Sequence, residues 1–259
     1  MPHEFFKIAK EDGVGVITLN KPPANTYDFE FMREFDRVIE EIRLDEEIKV
    51  AVITNEPPFF SAGADITMLK KSTPSFKATF CLHCQETLAE IERIPKVVIA
   101  AINGHCVGGG LEIALSMDLR FMASGKGKIG LPEVKLGVLP GTGGTQRLPR
   151  LIGKARALDM MITGETIGAE KALEIGLVQR VFTPEELMPK TMEYAKGLAK
   201  GASRAVGLIK VAVQEGLEMP ITSGFSLERE LQNRLFITED AQEGLSAFIE
   251  KREAVFKGR

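Results

Sequence analysis

Two continuous apolar runs, Val50-Ala51-Val52-Ile53 and Val97-Val98-Ile99-Ala100-Ala101-Ile102, constrain this chain more than any other feature. A run that is apolar at every position reads as a strand covered on both faces, because a strand with one wet face alternates. Helical periods separate these runs from the rest. Between Phe29 and Leu44, apolar Phe31, Met32, Phe35, Val38, Ile39 and Ile42 recur at helical spacing, and a second long pattern spans about 76–94. The chain opens like a hairpin, Phe5 to Ala9 and Val14 to Leu19 around Glu11-Asp12-Gly13. After Ile102 come a glycine-rich turn, a short apolar helix (109–116), a strand at 119–123 and a shorter one at 128–130. Beyond Gly144 the pattern predicts helices at 144–151, 154–162, 168–175, 186–200, 204–216, 224–236 and 239–254, with one strand over 178–182. Strands interleaved with helices, then a helix-rich third, indicate a layered α/β core with a helical tail. The division is 1–200 for the core and 201–259 for the C-terminal helical region.

Composition narrows the function. The 259 residues are 44% hydrophobic and 27% charged, enough for one sizeable core. A formal charge of −3 argues against a nucleic-acid partner, which calls for a clustered basic excess. No apolar run approaches the ~20 residues of a membrane span, so no membrane association is expected. The opening Met1-Pro2-His3-Glu4-Phe5-Phe6 does not resemble a secretory signal. With three cysteines and no such signal, a reducing, cytoplasmic location is the expectation.

Cys81-Leu82-His83-Cys84 has the spacing of half a metal site, but it falls inside a helical pattern and has no second ligand pair. Core cysteines and no metal are expected. Neither Gly108-Gly109-Gly110 nor Gly141-Thr142-Gly143-Gly144 fits a dinucleotide fingerprint, and no G-K-[ST] phosphate loop is present. Three glycines where a buried strand hands over to a helix instead let a ligand approach the backbone. First-turn N–H groups there can hold a developing oxyanion. Glu112, one turn after Gly109, shares that face. A lone carboxylate among Leu111, Ile113, Ala114 and Leu115 is either functional or one half of a structural ion pair. Glu133 follows Pro132, which fixes the chain before it; by itself it could equally be satisfied by Lys135 or solvent. Phe59-Phe60-Ser61-Ala62-Gly63-Ala64-Asp65 is an irregular loop able to supply another oxyanion donor, or else a plain turn in which Asp65 caps a helix at Ile66.

Taken in order, these segments resemble the enoyl-CoA hydratase/isomerase (crotonase) superfamily. The matching pieces are Ser61 to Ile66, Asn103-Gly104 leading to Gly108-Gly109-Gly110-Leu111-Glu112, Leu131-Pro132-Glu133, and Pro140 to Leu148. Gly176-Leu177-Val178 and Ala247 to Arg252 continue the match, which covers essentially the whole chain. The resemblance implies a crotonase-like ββα spiral core and the amides of Ala62 and Gly109 as the oxyanion hole. It places the two catalytic glutamates at Glu112 and Glu133. Lys21, Ala24, Gly63, Ala64, Asp65, Ile66 and Gly108 fall at its coenzyme A and substrate positions. It also implies trimers, alone or paired into hexamers, with Phe248 and Lys251 near a neighbour's coenzyme A. The substrate is then an acyl-CoA thioester, and no cofactor is expected, coenzyme A being part of that substrate. One stretch departs from the family pattern: after Ala24-Asn25 the chain continues in an unusual Thr26-Tyr27-Asp28, and the usual arginine before proline is Lys21.

Members with both glutamates add water to a 2-enoyl-CoA in β-oxidation-type fatty acid metabolism, giving a 3-hydroxyacyl-CoA. The alternatives are double-bond isomerisation, hydration of a dienoyl- or branched acyl-CoA, and a non-catalytic acyl-CoA- or RNA-binding relative. A silent relative has no use for two matched glutamates.

Overall fold

The computed structural model describes residues 3–259; Met1 and Pro2, which begin the stretch read as carrying no secretory signal, lie outside the described residues. Strands β1 (Phe6–Glu11) and β2 (Val14–Leu19) form the expected antiparallel hairpin. Asp12 and Gly13 close it, both at positive φ (49° and 80°), the twist a two-residue hairpin turn requires. Helix α1 (Phe29–Leu44) is capped by Asp28, whose carboxylate accepts from the Phe31 N–H at 2.9 Å. Then come β3 (Val50–Asn55), β4 (Phe59–Ser61), α2 (Ile66–Lys71) and α3 (Pro74–Arg93). Next are β5 (Val97–Ile102), β6 (His105–Val107), α4 (Gly109–Leu115), β7 (Leu119–Ala123) and β8 (Ile129–Gly130). A single 3-10 turn, Glu133–Leu136, leads to α5 (Gly144–Ile152) and α6 (Lys154–Thr163). The remainder is β9 (Thr166–Ile167), α7 (Ala169–Glu174), β10 (Arg180–Phe182), α8 (Pro184–Lys200), α9 (Ser203–Gly216), α10 (Ile221–Phe236) and α11 (Glu239–Glu250).

Six strands form one sheet in the order β1-β2-β3-β5-β7-β10, parallel apart from the first hairpin. Every residue of β3 and β5 is buried, as their apolar runs require. Alternate residues serve opposite faces. Ala51, Ile53, Val98, Ala100 and Ile102 join the core with α1 and α3. Val50, Val52, Val97, Ile99 and Ala101 pack with Leu187 and Ala195 of α8.

A second sheet, β4-β6-β8-β9, was not expected from the sequence. The residues of β4 read as an irregular loop, those of β6 as part of a glycine-rich turn, and Thr166–Ile167 as a helix-to-helix connection. With two or three residues each, β4, β6 and β9 are too short for periodicity to register, whereas β8 coincides with the strand expected at 128–130. The site is built along this sheet.

Candidate active site

Strand β6 ends at Val107, and Gly108 turns the chain into α4 with φ +58°. A Cβ at Gly108 would lie 3.3 Å from Glu133 Oε1, so the junction passes directly under the second carboxylate. At Gly109 a Cβ would lie 2.0 Å from the Tyr27 hydroxyl, which only glycine tolerates.

Glu112, on α4, is 2% exposed and has no cationic partner among the described residues. Its Oε1 accepts from the Thr142 N–H at 2.8 Å and the Gly144 N–H at 2.7 Å, while Oε2 accepts from the Thr142 hydroxyl. Three donors converge on this carboxylate; the structural ion pair is not formed among the described residues. A carboxylate offers about four lone-pair sites. Both on Oε1 are taken, and Oε2 keeps one.

Glu133 is the opposite case. It opens the 3-10 turn after Pro132, and its Oε2 is buried with no hydrogen-bond partner among the described residues. Burial pushes its carboxyl up to about 7, and the nearby Glu112 charge acts in the same direction. Lys135 does not pair with it among the described residues. The two glutamates thus differ in their surroundings: Glu112 accepts three hydrogen bonds, while Glu133 is a carboxyl poised to hold a proton near neutrality.

The oxyanion donors require a correction. The Ala62 N–H is bonded to the Ala24 carbonyl at 2.9 Å, so it is not free to meet a ligand. Ala24 itself therefore serves the loop, by that bond. Two residues on, the chain bridges to Tyr27: the Tyr27 N–H donates to Gly63 O at 3.0 Å and the Asp65 N–H to Tyr27 O at 2.8 Å. Between these two bonds the Ala64 N–H finds no acceptor among the described residues, and neither does the Gly109 N–H. Gly63, at φ +92°, brings the two segments together, since a Cβ there would lie 2.9 Å from the Gly109 nitrogen. Ala64, rather than Ala62, offers the amide that pairs with Gly109.

The remaining expected residues divide. Asp65 caps α2, accepting from the Met68 N–H at 2.8 Å, and Ile66 begins that helix with its side chain exposed. Lys21 turns its ammonium onto Asp28 at 2.5 Å and over the Phe5 ring, so its charge is engaged within the chain. Phe248 and Lys251 lie at the end of α11, which packs on α10; Phe248 is 85% exposed and Lys251 adopts φ +57°. Cys81 and Cys84 share a face of α3. Burial pushes the Cys84 thiol up, and Cys81 lies 2.9 Å from Lys77 Nζ. Among the described residues no group of three His, Cys, Asp or Glu side chains could hold a metal.

Sequence reasoning missed Thr142 and Gly144. Gly141-Thr142-Gly143-Gly144 fits no nucleotide phosphate loop, and as part of the Pro140-to-Leu148 family match it carried no assigned role. Glycine-rich turns present N–H groups to anions of any kind, and here the anion is the chain's own Glu112. Arg147 steadies that turn. It clamps Glu92 with two bonds (2.7 and 2.8 Å) and donates to the Thr142 carbonyl at 3.2 Å. Two unpaired amides beside an anionic carboxylate and a protonatable one suit proton transfer next to a carbonyl whose oxygen gains charge.

Residues 9–259 match the family model described as enoyl-CoA hydratase/isomerase. The short-chain-enoyl-CoA hydratase of Clostridium acetobutylicum is 40% identical over 255 residues, covering 97% of each chain. The crotonyl-CoA hydratase of Syntrophomonas wolfei is 37% identical over 258 residues, 99% of each. Among solved structures, an enoyl-CoA hydratase from Geobacillus kaustophilus superposes with a TM-score of 0.98 at 55% identity, covering 100% of this chain and 98% of that one.

Proposed function

This chain belongs to the enoyl-CoA hydratase/isomerase family, and we propose that it hydrates a 2-enoyl-CoA by dividing the two proton transfers between Glu112 and Glu133. The single observation that carries the division is their unequal surroundings: three donors on Glu112, none on Glu133 Oε2.

In this reading the thioester carbonyl sits on the N–H groups of Ala64 and Gly109. Water, held by the free lone pair of Glu112 Oε2, attacks Cβ and gives up a proton to that carboxylate. The electron pair of the double bond moves toward the carbonyl, and the enolate charge falls on the two amides. Glu133, protonated because burial disfavours its anion, delivers a proton to Cα. The product is a 3-hydroxyacyl-CoA. Proton return between the carboxylates and solvent resets the site. The reaction, a hydro-lyase step, needs no cofactor beyond the coenzyme A the substrate carries. We extend the same proposal to a homo-trimer or pair of trimers, a cytoplasmic location and a place in β-oxidation.

The test is loss of thioester conjugation with crotonyl-CoA. Glu112→Gln and Glu133→Gln should each lower kcat by about 10²–10⁴-fold, the usual share of a positioned acid or base. Near-normal rates in both variants would sink the mechanism.

A further inference from the structure

The unusual Thr26-Tyr27-Asp28 stretch places a buried phenol beside the catalytic carboxylate. Tyr27 is 2% exposed, and its ring is wedged near Phe31 and Phe80, at centroid distances of 6.5 and 6.1 Å. Its hydroxyl lies 3.4 Å from Thr142 Oγ1, and Thr142 Oγ1 in turn is bonded to Glu112 Oε2. Its backbone makes the two bonds that flank the Ala64 amide. One residue therefore touches both halves of the site, and nothing in the proton transfers above uses its hydroxyl.

We infer that Tyr27 is a positioning residue for the general base, acting through a hydroxyl relay from Tyr27 to Thr142 to Glu112. The polarity of the relay follows from counting protons. Thr142 has one O–H, and facing an anionic carboxylate it donates there. The contact to Tyr27 must then run the other way, with the phenol donating to Thr142 Oγ1. That fixes the Thr142 rotor toward Oε2 and leaves one lone pair on Oε2 for water. Burial, with the Glu112 charge adding to it, keeps the phenol protonated and hence a donor. The inference rests on the hydratase reading.

The other titratable and charged groups around Glu112 are Glu133 on the 3-10 turn, Cys84 on α3 and Arg147 on α5. Burial keeps the Cys84 thiol neutral. Arg147 is neutralised by Glu92. Glu133 is the other carboxyl of the site, its proton affinity raised by burial, so a glutamine at 133 isolates the limb that belongs to the base.

The experiment is a pH–rate profile of crotonyl-CoA hydration for wild type, Tyr27→Phe, Thr142→Ser, Thr142→Val and Tyr27→Phe/Thr142→Val. It is paired with a carbon-13 NMR titration of the glutamate carboxyls in the Glu133→Gln background. Tyr27→Phe keeps the ring and its packing. Its kcat should fall about three- to tenfold, the worth of one hydrogen bond, with KM within about twofold. The ascending limb and the Glu112 carboxyl titration should both move to higher pH. Thr142→Ser should retain the wild-type limb. Tyr27→Phe should add nothing once Thr142→Val has cut the relay. Superimposable profiles and titrations for wild type and Tyr27→Phe would overturn the relay, as would a change confined to KM or fully additive losses in the double variant. Failure of wild type on crotonyl-CoA would count against the hydratase reading instead; the NMR titration, which needs no substrate, still decides the relay.

Discussion

Glu112 and Glu133 carry the same functional group in unlike surroundings: three donors meet Glu112, and none meets Glu133 Oε2 among the described residues. For Glu133 the raised proton affinity has two consequences. Hydration needs its proton, so activity should decline as pH rises through about 7, and a pH–rate profile of Glu133→Gln should lack that descending limb. Stability follows by linkage. The folded-state value near 7 lies above the ordinary 4.5 of an unfolded glutamate. Between them the folded chain holds a proton that the unfolded chain has lost, so stability falls as pH rises across that window and is level beyond it. Glu133→Gln escapes this loss. It should therefore match wild type below about pH 4.5 and exceed it at pH 8 by about 1–2 kcal/mol, the shift being discounted for solvent screening. Urea denaturation at the two pH values checks it; a constant difference would mean that burial of the carboxylate carries no penalty. At this scale the sequence offered both glutamates as candidates, which the fold brings to one site, but misplaced one amide. Which of two neighbouring N–H groups stays free is decided by the carbonyls of Ala24 and Tyr27, far away in the chain. No local pattern at 61–65 encodes that choice. Thr142 escaped for the same reason: its role exists only once α4 lies against the 141–144 turn.

At the level of elements, legibility follows length and burial. The runs at Val50–Asn55 and Val97–Ile102 announce themselves because both faces are covered, so nearly every position is apolar. Of the short strands of the second sheet, β8 matches the strand expected at 128–130, while β4, β6 and β9 leave no such trace. Their register depends on neighbours, as where Gly130 pairs with Val107 on one side and Thr166 on the other. The helix starts are set by their caps, which the apolar pattern did not locate: Thr73, Thr183 and Thr238 each accept from an N–H three residues on, and two of these helices begin two residues before the expected 76 and 186. What the caps do not reveal is how helices brace a catalytic turn. The Arg147–Glu92 clamp joins α5 to α3, and the same guanidinium donates to the Thr142 carbonyl. Lysine at 147 keeps the charge but not the fork. Arg147→Lys should therefore leave the far-UV dichroism intact and lower kcat by about ten- to a hundredfold, since small misplacements of a catalytic group are expensive. Steady-state kinetics read this directly; an unchanged kcat would show that the turn holds Glu112 without the clamp.

On the scale of the whole molecule, the helical tail is both anchored and unfinished. Lys210 of α9 reaches into the core, 2.9 Å from Asp118 and bonded to the carbonyls of Ile91 and Lys96. A buried ion pair with this many extra bonds fixes where the tail leaves the sheet. Beyond it, α9 to α11 expose large apolar side chains in number, among them Leu217 (75%), Ile221, Ile237 (87%), Phe248 and Ile249. Scattered single exposures are ordinary, but a concentration on one region marks a surface that a partner covers. Closed rotational symmetry lets the same surface serve every copy, which is the physical ground for the proposed trimer. Sedimentation velocity at micromolar concentration should give three or six times the mass of one chain. Leu217→Asp with Ile237→Asp should shift it to the monomer while Glu112 and its donors, which lie on other elements, stay assembled. If a neighbour's Phe248 and Lys251 hold the coenzyme, this monomer should show a raised KM for crotonyl-CoA with kcat changed far less. A wild-type monomer, or a dissociated variant with unaltered KM, would leave the tail as a surface without a role in the site.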